Sequence, residues 1–230
     1  MDLNVIVENL PLYLQGLWTT VWLVAVSLLL GLALAIPLGV MRTSRNLLIN
    51  GPVWLYTYVF RGTPQLVQLF VIYYGASQFA FVRDSFAWPL LSQAWFCAVL
   101  TFTLNTAAYT AEIIRGAIAV TPTGEIEAAR ACGMSGSLML RRIVLPSAFR
   151  RALPAYSNEA IFVLHGSSIA SVVTIIDLTG AARVVNSRFL TPYEAFVTAA
   201  LFYFVLTFAM VWLFRLLERR WHAHLRRPTA

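Results

Sequence analysis

Lysine is absent from this sequence of 230 residues, in which all 17 basic side chains are arginines. A phosphate-binding P-loop ends in Gly-Lys-Ser/Thr, because the lysine ammonium contacts the terminal phosphates of the nucleotide. The chain therefore cannot carry this kind of nucleotide site. If ATP drives the protein, a separate subunit must bind the ATP.

Charged residues are also scarce: they make up 12% of the chain, against 59% hydrophobic residues and a mean hydropathy of +0.72. Soluble domains carry about 25% charged residues, so the composition excludes a soluble globular enzyme. Its hydrophobicity excludes a disordered chain. The net charge of +7 does not indicate nucleic-acid binding, since no soluble stretch is long enough to form a basic face. Most of the chain is expected to lie in lipid.

Only two cysteines are present, Cys97 in an apolar run and Cys132 in a polar loop. Their separation does not match the spacing of metal ligands. The histidines His222 and His224 lie in an arginine-rich tail and make no metal site with nearby carboxylates. We therefore expect free thiols and no metal site, and an integral-membrane enzyme has little support.

Five segments have the length and apolarity of membrane-spanning helices, which need about 20 mainly apolar residues. Their hydrophobic runs are continuous, whereas the strands of a β-barrel would show short alternating segments. We predict an all-α integral membrane protein that forms a single domain over residues 1–230. The predicted spans are residues 17–40, 53–82, 88–114, 152–176 and 193–217.

Arginine is distributed unequally between alternate loops, with 12 on one side and 3 on the other. Positively charged loops remain in the cytoplasm, so we predict a periplasmic N-terminus and a cytoplasmic C-terminus. The predicted cytoplasmic set is Arg42, Arg45, Arg130, Arg141, Arg142, Arg150, Arg151, Arg215, Arg219, Arg220, Arg226 and Arg227. The opposite set is Arg83, Arg183 and Arg188.

The longest connection includes residues 121–150, on the predicted cytoplasmic side. Thr123 and Ser135 are residue types that cap helices, and Gly133 between them favours a helix end. We predict two short helices, the first beginning at Thr123 and the second ending at Leu145-Pro146. A solvated linker of mixed sequence fits the same spacing equally well.

Several motifs now point to a known family. EAARACG at residues 127–133, followed by IVLP at residues 143–146, resembles the EAA loop of ABC importer permeases. The order and spacing of three other motifs resemble the permeases of polar amino-acid importers, above all the type that imports histidine, lysine, arginine, ornithine and the opines octopine and nopaline. These motifs are FRGTP at 60–64, NTAAYTAE at 105–112 and LPAYSNE at 153–159.

This resemblance implies a multi-pass subunit of the bacterial inner membrane with the type I importer fold. It implies a second permease subunit (a paralogue or the same chain), a dimer of ATP-binding subunits that holds ATP and Mg, and a periplasmic substrate-binding protein. The chain itself would hold no cofactor and catalyse no reaction. The EAA loop would contact the ATPase through Glu127, Ala128, Ala129, Arg130, Gly133 and Met134.

Ionisable and amide side chains inside the predicted spans are the candidates for substrate binding, since such groups are expensive in lipid. Glu159 suits a cationic group of an amino acid, and Arg61, beside a helix interruption at Gly62 and Pro64, suits a carboxylate. Pairing of Arg61 with Glu112 or Glu159 for structure alone is the other interpretation. For His165 a structural role is favoured. The full candidate set is Glu159, Asn158, Arg61, Gln68, Asn105, Tyr109 and Glu112.

An ion-coupled secondary transporter of amino acids remains the alternative function. It would use intramembrane carboxylates such as Glu159 and Glu112 to carry the coupling ion. Such carriers commonly contain inverted repeats, and no convincing internal repeat is visible in this sequence.

Overall fold

The computed structural model describes residues 3–221, and within this range the chain contains only helices and their connections. Arg226, Arg227, His222 and His224, discussed above, lie outside the described residues. The α-helices are α1 (Leu3–Glu8), α2 (Leu10–Met41), α3 (Leu47–Gly62), α4 (Gln65–Phe70), α5 (Ala80–Arg83), α6 (Trp88–Leu91), α7 (Ala94–Ala119), α8 (Thr123–Ala131), α9 (Gly136–Met139), α10 (Leu145–Gly166), α11 (Leu178–Phe189) and α12 (Pro192–Trp221).

Three helices in the described range are long and apolar enough to cross a membrane, namely α2, α7 and α12. A fourth candidate is the helical segment of residues 136–173 together with α11, which meet at a bend of 46°. The first, third and fifth predicted spans fall on α2, α7 and α12. The predicted span 53–82 is not one helix, because the chain breaks after Gly62. The all-helical class is confirmed, and the count of five spans stays a prediction.

The break between α3 and α4 follows from Pro64. A proline disfavours helical geometry in the residue before it, and Thr63 is extended, with φ −117° and ψ 144°. The chain re-enters a helix at Gln65, directly after the proline. This interruption lies in the middle of an apolar run, so its exposed backbone groups need partners from the protein.

Helix α7 lies at the centre of the fold and packs closely on α2 through a stripe of small residues. Ser27, Gly31, Ala35 and Gly39 repeat at intervals of four along α2, and all are buried. A Cβ added at Gly31 would clash with Cγ2 of Thr106. Small residues at this spacing allow membrane helices to approach closely. Helices α3 and α10 pack on other faces of α7.

The first short helix of the long connection ends as predicted. Gly133 has a φ of +71°, a left-handed conformation that glycine adopts without a Cβ penalty. Its N–H donates to the carbonyl of Arg130 at 2.9 Å, and the N–H of Met134 donates to the carbonyl of Ala129 at 3.1 Å. These two bonds form a Schellman motif, which satisfies carbonyls left free at the helix end.

Two details of this connection differ from prediction. The N-cap position of α8 is Pro122 rather than Thr123, which is the first helical residue, and neither Pro122 nor Ser135 makes a capping side-chain hydrogen bond. The second helix does not end at Leu145-Pro146: α9 continues through a π-helical turn at Leu140–Val144 into α10. Pro146 lies in the first turn of α10, where a missing N–H is tolerated.

Candidate functional site

The break between α3 and α4 is held by two amide side chains. Gln68 Nε2 donates to the carbonyl of Phe60 at 2.8 Å, and to the carbonyl and the hydroxyl of Thr63 at 3.1 and 2.8 Å. Asn105 on α7 donates through Nδ2 to Gln68 Oε1 at 2.9 Å and to the Phe60 carbonyl at 3.3 Å. Carbonyls near the end of α3 therefore have partners within the protein, as a low-dielectric environment requires.

A polar cavity of about 580 Å³ opens beside this break. Helix α3 and the break form one wall, and α7 and α10 form the others. Its lining combines both charge signs with amides, an aromatic ring and apolar side chains. The lining residues are Arg61, Gly62, Thr63, Pro64, Gln65, Asn105, Tyr109, Glu159, Phe162 and Val163.

Arg61 is positioned against the aromatic ring of Tyr109. The Cζ atom of its guanidinium lies 5.3 Å from the ring centroid, within the range of a cation–π interaction. The Tyr109 hydroxyl donates to the backbone carbonyl of Arg61 at 3.2 Å. This hydrogen bond holds the backbone of Arg61. The residue itself is exposed and forms part of the cavity wall.

Glu159 supplies the opposite charge from α10. Glu159 is only 7% exposed, whereas Arg61 on α3 is exposed. Within residues 3–221 no ion pair joins these two side chains. The cavity therefore offers a carboxylate and a guanidinium at separate points of its wall, which matches a ligand that carries both an ammonium and a carboxylate group.

The structure brings together four of the seven predicted substrate residues, Arg61, Asn105, Tyr109 and Glu159. Gln68 does not line the cavity, because its amide is used at the helix break. Asn158 is exposed next to Glu159 and also lies outside the cavity lining.

Glu112 lies in a separate ion-pair cluster. It accepts hydrogen bonds from Arg42 Nε at 2.8 Å, from Arg115 Nε at 2.6 Å and from the Thr57 hydroxyl at 3.3 Å. Arg42 also donates to Asn50 Oδ1 at 2.6 Å. These contacts tie α2, α3 and α7 together away from the cavity. Arg42 and Arg115, rather than Arg61, are the cations paired with this carboxylate.

Six of the ten residues that line the cavity were not among the sequence candidates, and Gln65 and Phe162 are two of them. Gln65 follows the helix-breaking Pro64 and begins α4. This position beside a helix break was the feature of the sequence that could have identified it as a cavity residue. Phe162 is apolar and 71% exposed, and a phenylalanine in an apolar run carries no signal of a binding site. His165 lies outside this cavity, where its Nε2 is 3.1 Å from the Thr207 hydroxyl.

The predicted ATPase-contacting residues lie on and around α8. Glu127, Ala128, Arg130 and Gly133 are exposed, whereas Ala129 is buried and Met134 is half-buried. A cavity of about 480 Å³ separates α8 from the π turn and the start of α10. The loop therefore exposes a mixture of charged and small residues and buries Ala129.

No group of three or more histidine, cysteine, aspartate or glutamate side chains in the described range has the arrangement of a metal site. Cys97 is buried and Cys132 is exposed, and both are free thiols.

Comparison with known proteins shows similarity over nearly the whole chain. Residues 27–223 match the family described as binding-protein-dependent transport system inner membrane component. The nopaline transport system permease protein NocM of Agrobacterium fabrum is 44% identical over 227 residues, which cover 98% of this chain and 94% of the relative. The histidine/lysine/arginine/ornithine transport system permease protein HisM of Salmonella typhimurium is 48% identical over 214 residues, covering 91% of this chain and 89% of the relative.

A solved structure agrees with these relatives. The crystal structure of an amino acid ABC transporter with histidines contains a chain that superposes with a TM-score of 0.84 and is 34% identical. The superposition covers 96% of this chain and 99% of that chain. The type I importer fold is therefore confirmed.

We expect Gln68→Leu to destabilise the protein, because it leaves the Phe60 carbonyl with a weaker partner and removes both bonds to Thr63. Loss of these hydrogen bonds costs about 1–3 kcal/mol. The measurement is thermal or denaturant unfolding of the purified protein in detergent. Gln65→Leu is the matched control, since Gln65 lines the cavity without holding the break. Equal stability of the two variants would show that the Gln68 contacts do not support the fold.

Proposed function

The chain belongs to the family of binding-protein-dependent transport system inner membrane components, and from this premise we propose that it imports cationic amino acids or opines. The similarity to the family and to its two relatives confirms the resemblance to polar amino-acid importers. The protein is a permease subunit of the inner membrane, a transporter component and not an enzyme. ATP hydrolysis belongs to a partner ATPase, in agreement with the lack of lysine in this chain.

The opposed charges of the cavity support this choice of substrate. Arg61 is placed to bind the α-carboxylate of a free amino acid, because a guanidinium donates directed hydrogen bonds to carboxylates. Glu159 is placed to accept a cationic group, either the α-ammonium or the cationic side chain. Asn105 and Tyr109 complete the polar wall. The presence of a carboxylate and a guanidinium at separate points of one intramembrane cavity is the observation that carries the proposal.

The exposed residues at the cavity also indicate that a second permease subunit is a partner. Arg61 and Phe162 line the cavity and are both exposed, and Asn158 is exposed one turn before Phe162 on α10. A charged side chain at membrane depth is costly against lipid, so this face requires cover by protein. We propose that a paralogue or a second copy of this chain covers it, with the pore between the two subunits.

The loop at residues 121–150 is the proposed contact with the ATP-binding subunits. Its exposed residues Glu127, Ala128, Arg130 and Gly133 surround the buried anchor Ala129. ATP and Mg would bind to the ATPase dimer, and a periplasmic substrate-binding protein would deliver the amino acid on the other side of the membrane. An ion-coupled carrier would have no use for such a loop, so the loop favours the ATP-driven importer over that alternative.

The proposed topology has five spans, with the segment 53–82 counted as a broken span. The N-terminus lies in the periplasm and the C-terminus in the cytoplasm, as the arginine bias predicts. This places residues 121–150 inside the cell. The two free cysteines provide a direct test, because only one of them is accessible.

We expect Cys132 to react with a membrane-impermeant maleimide in inside-out vesicles stripped of the ATPase and not in spheroplasts, because the proposed topology puts it on the cytoplasmic side, within the proposed ATPase contact. Labelling is measured by the mass shift of the immunopurified chain. Cys132→Ser is the control, and it should abolish labelling because Cys97 is buried. Labelling of Cys132 in intact spheroplasts would contradict the topology.

We expect Glu159→Gln to reduce ATP-dependent uptake of arginine or histidine about tenfold or more relative to a neutral amino acid. The change removes the negative charge and keeps the shape, and a charge-assisted bond contributes about 1.5–3 kcal/mol. The measurement is uptake into proteoliposomes containing the full transporter, with a binding protein that accepts both ligands. Glu194→Gln, outside the cavity, controls for loss of a carboxylate. Unchanged preference in Glu159→Gln would remove this residue from the substrate site.

We expect Gly133→Asp and Ala129→Asp to abolish substrate-stimulated ATP hydrolysis and uptake. Aspartate at position 133 combines an unfavourable positive φ with a charge at the ATPase contact, and at position 129 it buries a charge. Gly136→Asp is the matched control, since Gly136 lies in the same loop without a positive φ, and a Cβ added there would meet no atom within 4 Å. Normal coupled uptake by the first two variants would refute the assignment of this loop.

A further inference from the structure

Arg151 on α10 makes an unusual set of contacts at the base of the long loop. Its Nε and Nη2 atoms donate to the carbonyl of Ala117 at 3.2 and 3.1 Å. Nη2 also donates to the hydroxyl of Thr121 at 2.8 Å, and Nη1 donates to the hydroxyl of Ser147 at 2.7 Å. One guanidinium thus binds the last turn of α7, the residue that leads into the loop, and the first turn of α10.

These partners lie on both sides of the loop. Thr121 precedes α8, and Ser147 follows the π turn, so the whole segment between them projects from a base that Arg151 closes. Ala117, Ala148 and Ala152 form a buried cluster at this base, which brings α7 and α10 close together. The cation also lies at the C-terminal end of α7, where the helix dipole favours positive charge.

The same two helices form walls of the polar cavity. Tyr109 lies about 12 Å from Ala117 along α7, and Glu159 lies about 12 Å from Arg151 along α10, given a rise of about 1.5 Å per residue. The base of the loop is therefore about equally far from the two walls. A displacement of the loop moves both cavity walls together only if α7 and α10 stay joined at the base of the loop.

We propose that Arg151 is a positioning residue for coupling: it joins α7 and α10 at the base of the loop so that motion imposed by the ATPase moves both cavity walls as one unit. This inference rests on the proposed function of the loop. Arginine suits the task because its planar guanidinium directs several donors at once from a single rigid group. Lysine, with a compact ammonium, has no comparable planar set of donors.

The test measures the number of amino acids imported per ATP hydrolysed by the complete transporter, with its ATPase and binding protein, in proteoliposomes. We expect this ratio to fall about tenfold in Arg151→Gln, because charge-assisted bonds between the two helices are lost. Arg151→Lys should give an intermediate ratio. Thr121→Val, which keeps the arginine and removes one acceptor, should lower the ratio less than Arg151→Gln does. In each variant the ATPase should still copurify with the permease.

Arg45→Gln is the matched control, since it removes an exposed arginine of the same predicted cytoplasmic set, outside residues 121–150 and outside the cavity lining, and should leave the ratio unchanged. A wild-type ratio in Arg151→Gln would overturn the proposal, as would a parallel fall of uptake and hydrolysis that leaves the ratio constant. If Arg151→Gln does not assemble, Thr121→Val decides, and an unchanged ratio in that variant refutes the role. Absence of ATP-dependent uptake by the wild-type transporter would instead refute the proposed function.

Discussion

The need to satisfy backbone polar groups away from water governs the structure around the cavity. Pro64 interrupts a run that is otherwise apolar, and an interrupted helix leaves carbonyls without partners. Gln68 and Asn105 supply the donors, so the break is stable and the chain can turn beside α7. The turn places Arg61 on the cavity wall. A polar opening in a lipid-embedded fold thus depends on two buried amides that do not have to touch substrate themselves.

A division of labour between subunits explains the composition of the chain. Without lysine it has no P-loop. Helices α7 and α10 connect the long loop with the cavity, and both are packed on small residues rather than on flexible side chains. Close contacts of this kind transmit displacement because packed interiors are not readily compressed. In the proposed function, the permease receives motion at the loop and changes the shape of the polar cavity at the other end of these two helices.

Particular residues show where sequence reasoning succeeded and where it stopped. Arg61 and Glu159 were candidates because charges inside spans are costly, and both line the cavity. Glu112 met the same criterion but is paired with Arg42, which is distant in sequence. Such a pairing depends on how α2 packs against α7. Pro146 indicated a helix end, yet the π turn before it places the proline in the first turn of α10, where helices accept it.

The sequence by itself determined the class of protein, the stop at Gly133 and the motifs of the importer family. These properties depend on composition, local backbone preference and regular spacing, all of which can be read along one segment. Only the tertiary structure decided which polar side chains share the cavity and which are used elsewhere in the fold. Gln68 and Asn105, or Arg151 and Ala117, belong to different helices, and their hydrogen bonds exist only once packing has brought those helices together.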